Sequence, residues 1–199
     1  MSRVWGLVVA LWFSTVPAAF AQGGLFGLPL VTQKDGWARY VTESSEGPTE
    51  VVFKVGTPGS HKGKKGQWVI LEVDAPGVGR ISMHFLVAGQ KFSPDNLLVV
   101  RVYVPGQEPQ ESGAPAGPVT LPPTKLLGKH TETIAGRKLE VTEYALGDEA
   151  RVGWSPSVAP LGVTYVTGAR PMRLVAFGVG GDPWKGSGQA QPHWPEDKK

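Results

Sequence analysis

The chain has 199 residues, 27 of them glycine and 18 proline, no cysteine, and a formal net charge of +3. The missing cysteine excludes disulfides, thiol nucleophiles, iron–sulfur clusters and Cys-type zinc sites. The positive excess is small and dispersed, without the concentrated basic stripe of nucleic-acid binders, so no nucleic-acid partner is expected.

In chain order, residues 1–21 read as a cleavable secretory signal peptide. Arg3 supplies the basic start and Val4–Phe13 the apolar run. Ala19-Phe20-Ala21 is the small-residue cleavage motif, which makes Gln22 the first residue of the mature chain. The apolar run is about half of the roughly 20 residues that span a bilayer. No cysteine follows it for lipidation, and no second run approaches spanning length. After cleavage the protein is therefore not expected to be an integral membrane protein, and residues 22–179 are expected to form one domain.

Glycines and prolines punctuate short apolar runs, which points to strands and turns. The runs are Trp37–Thr42, Glu50–Val55, Gln67–Asp74, Arg80–Val87 and Leu97–Val104. Alternation is cleanest in the fourth. There Ile81, Met83, Phe85 and Val87 share one face and Arg80, Ser82 and His84 the other, the period of a half-buried strand. In the fifth, Val100, Val102 and Val104 oppose Arg101 and Tyr103. The basic run His61–Lys65 lies between glycines and reads as a solvated hairpin tip. Residues 105–124 are dense in proline, which donates no ladder hydrogen bond, and are expected as a long flexible loop.

Strands resume at Thr131–Ile134, turn at Ala135-Gly136, and continue through Lys138–Tyr144, Ala150–Trp154, Gly162–Thr167 and Met172–Phe177. Residues 180–199 are polar and are expected as a disordered tail, with Trp184 and Trp194 as contact points. Short helical turns are expected only at Gly24–Gln33 and Ser93–Leu98. The fold class is thus all-β, with about ten antiparallel strands that must curl or pack in layers.

The sequence carries little catalytic signal. Four histidines, at 61, 84, 130 and 193, have no metal-ligand spacing on one element, so no metal or other cofactor is expected. His84 lies on the polar face of its strand, as a solvent-facing residue. A G-x-S-x-G elbow is missing. Residues 56–65 fail as a phosphate loop, because Gly59 and Gly63 are too close and Lys65 stands where Ser or Thr is needed. Glu140 and Glu143 fall on opposite strand faces, and Glu72 with Asp74 reads as wet surface. A non-enzymatic protein is expected.

What remains is the apolar face of Ile81, Met83, Phe85, Val100 and Val102. It is either plain core or a concave lining for an acyl chain or a partner's apolar segment, and Met83 and Phe85 supply adaptable and aromatic contacts.

Several stretches share the layout of one superfamily. They are Glu132–Gly136 with Leu139, Val152–Val163 and Met172–Gly178, with Gly36–Tyr40 as an opening strand and Leu97–Val104 before a long loop. Together they resemble small periplasmic domains of the lipoprotein-carrier type (the LolA/LolB-like superfamily). That resemblance implies an open antiparallel half-barrel with an apolar inner face, a periplasmic location, and a lipid or lipoprotein acyl chain as ligand. The sequence departs from the carriers in having no amphipathic stretch for lid helices. An envelope protein partner is the alternative expectation. On that reading the protein is an interaction module with a self-filled core, working through the 105–124 loop and the tail.

Overall fold

The computed structural model describes residues 27–44, 47–75, 77–113, 124–148, 150–169 and 171–187. The signal-peptide reading of residues 1–21 lies outside them. Eleven strands form: β1 (Gly36–Ser44), β2 (Gly47–His61), β3 (Lys64–Ala75), β4 (Gly79–Val87), β5 (Leu97–Tyr103), β6 (Gln110–Gly113), β7 (Thr124–Ile134), β8 (Arg137–Leu146), β9 (Ala150–Trp154), β10 (Val163–Val166) and β11 (Met172–Val179). They make one open antiparallel sheet in the order β6-β5-β4-β3-β2-β1-β11-β10-β9-β8-β7. Among the described residues the one helical element is a single 3-10 turn at Pro94–Asn96. The all-β fold is therefore what the chain adopts, with β6 as an addition to the expected strands.

Two tight hairpins show why the strands pair as they do. Lys62 and Gly63 (φ 47° and 77°) join β2 to β3, and Ala135 and Gly136 (φ 50° and 73°) join β7 to β8. Two successive positive-φ residues make the turn whose twist matches that of the flanking strands. The basic run 61–65 is thus a hairpin tip, as its flanking glycines suggest.

The sheet is strongly curled, and a short N-terminal segment records it. The amide of Leu30 donates to Gln90 O at 2.7 Å, and that of Val31 donates to Pro160 O at 2.8 Å. Consecutive residues are about 3.8 Å apart, so these carbonyls lie within about 10 Å of each other. Gln90 follows β4 and Pro160 precedes β10, and these strands stand five places apart in the order. In a flat sheet that separation would be about 24 Å. The two edges obey a second limit. The residues between Gly113 of β6 and Thr124 of β7 can reach at most about 40 Å, whereas a flat sheet of this many strands would be about 48 Å wide.

The curl gathers the apolar side chains into one cluster. Ala38, Phe53, Leu71, Met83 and Val102 stand in cross-strand register from β1 to β5. They join Val141, Val152, Val163 and Leu174 from the other half of the sheet. The Tyr40 hydroxyl, fully buried, reaches across to donate to Val163 O at 2.9 Å. Burial pushes the Tyr40 hydroxyl pKa far up, so it stays a donor.

Three expectations need correction. Residues 27–33 form no helical turn; they run as a bridge between the β4–β5 and β9–β10 connections, with Pro29 paired to Lys91. The 105–124 loop is interrupted by β6, and β7 begins at its last residue, while residues 114–123 lie outside the described set. The supposed tail does not begin at 180, because Trp184 is buried, 8% exposed. Trp194 lies outside the described residues.

Candidate functional site

The five apolar residues singled out from sequence do share one surface. Met83 pairs with Val102 and Phe85 with Val100 across β4 and β5, and Ile81 pairs with Val73 of β3. Met83 and Val102 belong to the buried cluster, and Ile81, Phe85 and Val100 pack against it half-buried. Phe85 meets Phe92 edge to face, with ring centroids 5.6 Å apart.

The two ends of the curled sheet differ. One end is closed by Leu28, Phe92, Val158 and Leu161, all buried. There Trp154 donates its indole N–H to Pro29 O at 3.3 Å, which holds the bridging segment across the opening. At the other end, beside the β3–β4 and β8–β9 turns, Val73, Val78, Ile81, Tyr144 and Ala150 are only partly buried. An open cleft of about 530 Å³ lies at the β3–β4 turn, lined by Asp74, Ala75, Gly77, Val78 and Gly79. None of the five sequence-selected residues lines it.

The opposite face of β1–β4 is covered by residues 182–187, a feature the sequence reading missed. Arg39 of β1 is 4% exposed. Its guanidinium donates to Pro183 O at 3.3 Å, Lys185 O at 3.0 Å and Gly186 O at 3.3 Å. Trp184 donates its indole N–H to Glu72 Oε2 at 2.8 Å. The Arg80 guanidinium stacks 4.4 Å from the Trp184 ring. Glu72 also pairs with Lys54, and Ser187 with Glu50. An alternating strand that places an arginine between Ala38 and Tyr40, and a tryptophan in a polar stretch, were the only sequence signals for this strap.

Farther along that face, Trp68, His84 and Tyr103 form an aromatic row on β3, β4 and β5. The His84 ring lies 6.2 Å from Trp68 and 4.5 Å from Tyr103. His84 is therefore packed between rings and not freely solvent-facing. Burial holds its pKa below the ordinary imidazole value, helped by the positive charges of Lys54 and Arg101 against the opposing Glu72. Ser82 Oγ lies 3.2 Å from His84 Nε2. A serine–histidine pair would need a third group to orient the imidazole. Among the described residues no carboxylate bonds to His84, and both oxygens of Glu72 are engaged by Lys54 and Trp184.

A second polar cluster ties β11 to β7. Arg173 pairs with Glu132, both largely buried. Nearby Tyr165 has its hydroxyl pKa pushed up, first by burial and then by Glu143 and Glu132. Arg101 and Glu111 pair on the far edge at 2.8 Å, which holds the exposed Glu111 carboxyl below its ordinary range. Among the described residues no group of three His, Asp or Glu side chains could hold a metal ion, and no helix is long and apolar enough to cross a membrane.

No protein-family model matches the chain, and no curated protein matches it. The geometry defines a class on its own terms: an open antiparallel sheet curled around an apolar face, closed at one end and braced outside by a C-terminal strap.

Proposed function

We propose that this is an exported, non-enzymatic envelope protein that holds a lipid, a lipoprotein acyl chain or another apolar segment against the inner face of its curled sheet. The observation that carries the reading is the unequal exposure of the apolar lining. Leu28, Phe92 and Leu161 are buried at one end, with Leu30 and Trp154 partly so, while Val73, Val78, Ile81, Tyr144 and Ala150 remain partly exposed at the other. A core that serves packing alone gains by sealing both ends, because each square ångström of apolar surface left wet forgoes about 25 cal/mol. A pocket needs one open end and an apolar wall. Ile81, Met83, Phe85, Val100 and Val102 form that wall in this reading. The resemblance of the sequence to lipoprotein carriers supports the same reading, with the periplasm as its location.

The test is mass spectrometry of lipids that co-purify with the protein, followed by titration of delipidated protein with a fluorescent fatty acid. Saturable binding is expected, weakened at least tenfold by Ile81→Asn with circular dichroism unchanged; that factor corresponds to about 1.4 kcal/mol. A preparation free of lipid that also shows no saturable binding overturns the reading in favour of a self-filled core.

A further inference from the structure

We infer that the first half of β7, Lys125 to His130, is a docking surface for an anionic lipid bilayer. Leu126 and Leu127 are 57% and 43% exposed and, with Val179, are the large apolar side chains left exposed among the described residues. They are adjacent, and they sit at a β-bulge: Leu126 pairs with Tyr144 and Gly128 with Glu143, which leaves Leu127 as the extra residue. Cations flank them. Lys125 precedes the pair, Lys129 and His130 follow it, and all three are exposed. Of the acids beside them, Glu143 pairs with Arg151 at 3.6 Å and Glu132 with Arg173, while the exposed Glu140 stands farther along, opposite Thr131.

The arrangement selects among occupants. An edge strand recruits another strand through a regular ladder, and bulges and lysines are the devices that prevent this. β7 carries both devices at the place where its leucines are exposed. A second strand, from another copy or another protein, is therefore disfavoured at this point. A bilayer surface needs no ladder. It takes apolar side chains at the acyl boundary and lysines at the anionic headgroups, their aliphatic stems lying along the apolar surface. Two leucines framed by Lys125 and Lys129 present that combination within one short stretch of strand. Leu126, the cross-strand partner of Tyr144, puts this surface beside the open end of the inner face, but the inference stands whether or not that face holds a ligand.

The test is cosedimentation of the purified protein with vesicles of phosphatidylethanolamine and phosphatidylglycerol, against vesicles of phosphatidylcholine alone. Binding to the anionic vesicles is expected to fall as salt rises. In L126S/L127S the bound fraction should drop to the phosphatidylcholine level. In K125E/K129E binding should weaken by about fivefold or more for each cation lost. All four positions are exposed, so both variants should keep the wild-type circular dichroism spectrum, and K125E/K129E should also keep the wild-type titration with fluorescent fatty acid. Equal sedimentation of wild type and L126S/L127S with anionic vesicles overturns the inference. So does a dimer in sedimentation velocity that L126S/L127S dissolves, with no vesicle binding, because the occupant would then be a second copy. Loss of fatty-acid binding with vesicle binding intact would instead remove the inner-face reading and leave this one standing.

Discussion

Trp184 donates its indole N–H to Glu72 Oε2 at 2.8 Å, joining residues 112 positions apart in the chain. The contact closes the strap over the outer face, where Arg39 gives three hydrogen bonds to carbonyls on either side of Trp184. Trp184→Ala removes a buried ring and is expected to cost about 3–5 kcal/mol. Trp184→Phe keeps most of the apolar contact and leaves Glu72 Oε2 short of its donor, which should cost about 1–2 kcal/mol. Urea unfolding followed by far-ultraviolet circular dichroism separates the two. Wild-type stability in Trp184→Ala would mean that the strap adds nothing to the fold.

His84 makes stability depend on pH with a definite sign. Burial, Lys54 and Arg101 hold its folded-state pKa below the ordinary value. The unfolded chain therefore takes up this proton first, at about pH 6.5. Stability is greatest above that value, falls as pH drops through it, and levels off below the folded-state pKa. The urea midpoint should thus be lower at about pH 5 than at about pH 7.5. His84→Gln should flatten that difference. An unchanged pH dependence in the variant would assign it to other groups.

Alternation was enough to find the strands that line the interior. Ile81, Met83 and Phe85 alternate with Ser82 and His84 as a strand requires, and β4 forms there, although its other face is covered too, with Ser82 and His84 half-buried and Leu86 fully buried. The features that escaped depend on partners distant in sequence. β6, with the sequence Gln-Glu-Ser-Gly, has no strand composition and forms because β5 offers it a free ladder. The first half of β7 is exposed on nearly every residue, so it shows no apolar period to detect. Arg39 looks like a surface residue alone, and Trp184 is legible only as a contact point in a polar tail; their burial exists only once the strap has returned to β1. The fit of the apolar face to a ligand depends on curvature, which no local pattern encodes.

Arg173 and Glu132 hold β11 to β7 although three strands separate them in the sheet order. Their side chains are 10% and 19% exposed, so the pair is largely shielded from water. Removing one partner strands the other charge. Arg173→Met and Glu132→Leu are each expected to cost near the lower end of the roughly 3–5 kcal/mol typical of broken buried pairs. The double variant should recover much of that loss, because two apolar side chains need no partner there. A double-mutant cycle in urea gives the coupling. Additive losses would mean that the two residues do not depend on each other.

Gly162 controls the closed end of the sheet through Trp154. It has φ +71°, and a Cβ there would lie 2.0 Å from Trp154 Nε1. That nitrogen is the donor to Pro29 O, so the clash acts directly on the bridging segment. Gly162→Ala therefore combines about 1–2 kcal/mol of left-handed backbone strain with displacement of the indole. A total loss above about 2 kcal/mol is expected, with faster amide exchange at Leu30 and Val31, whose bonds to Gln90 and Pro160 hold the two halves of the curl together. Gly128 is the control. Its φ is not positive, and a Cβ there meets nothing within 4 Å. Gly128 is half-buried with open space where the Cβ would go, so Gly128→Ala should change stability by less than about 0.5 kcal/mol. If Gly162→Ala behaved like Gly128→Ala, with amide exchange at Leu30 and Val31 unchanged, then Trp154 would not be what keeps that end shut.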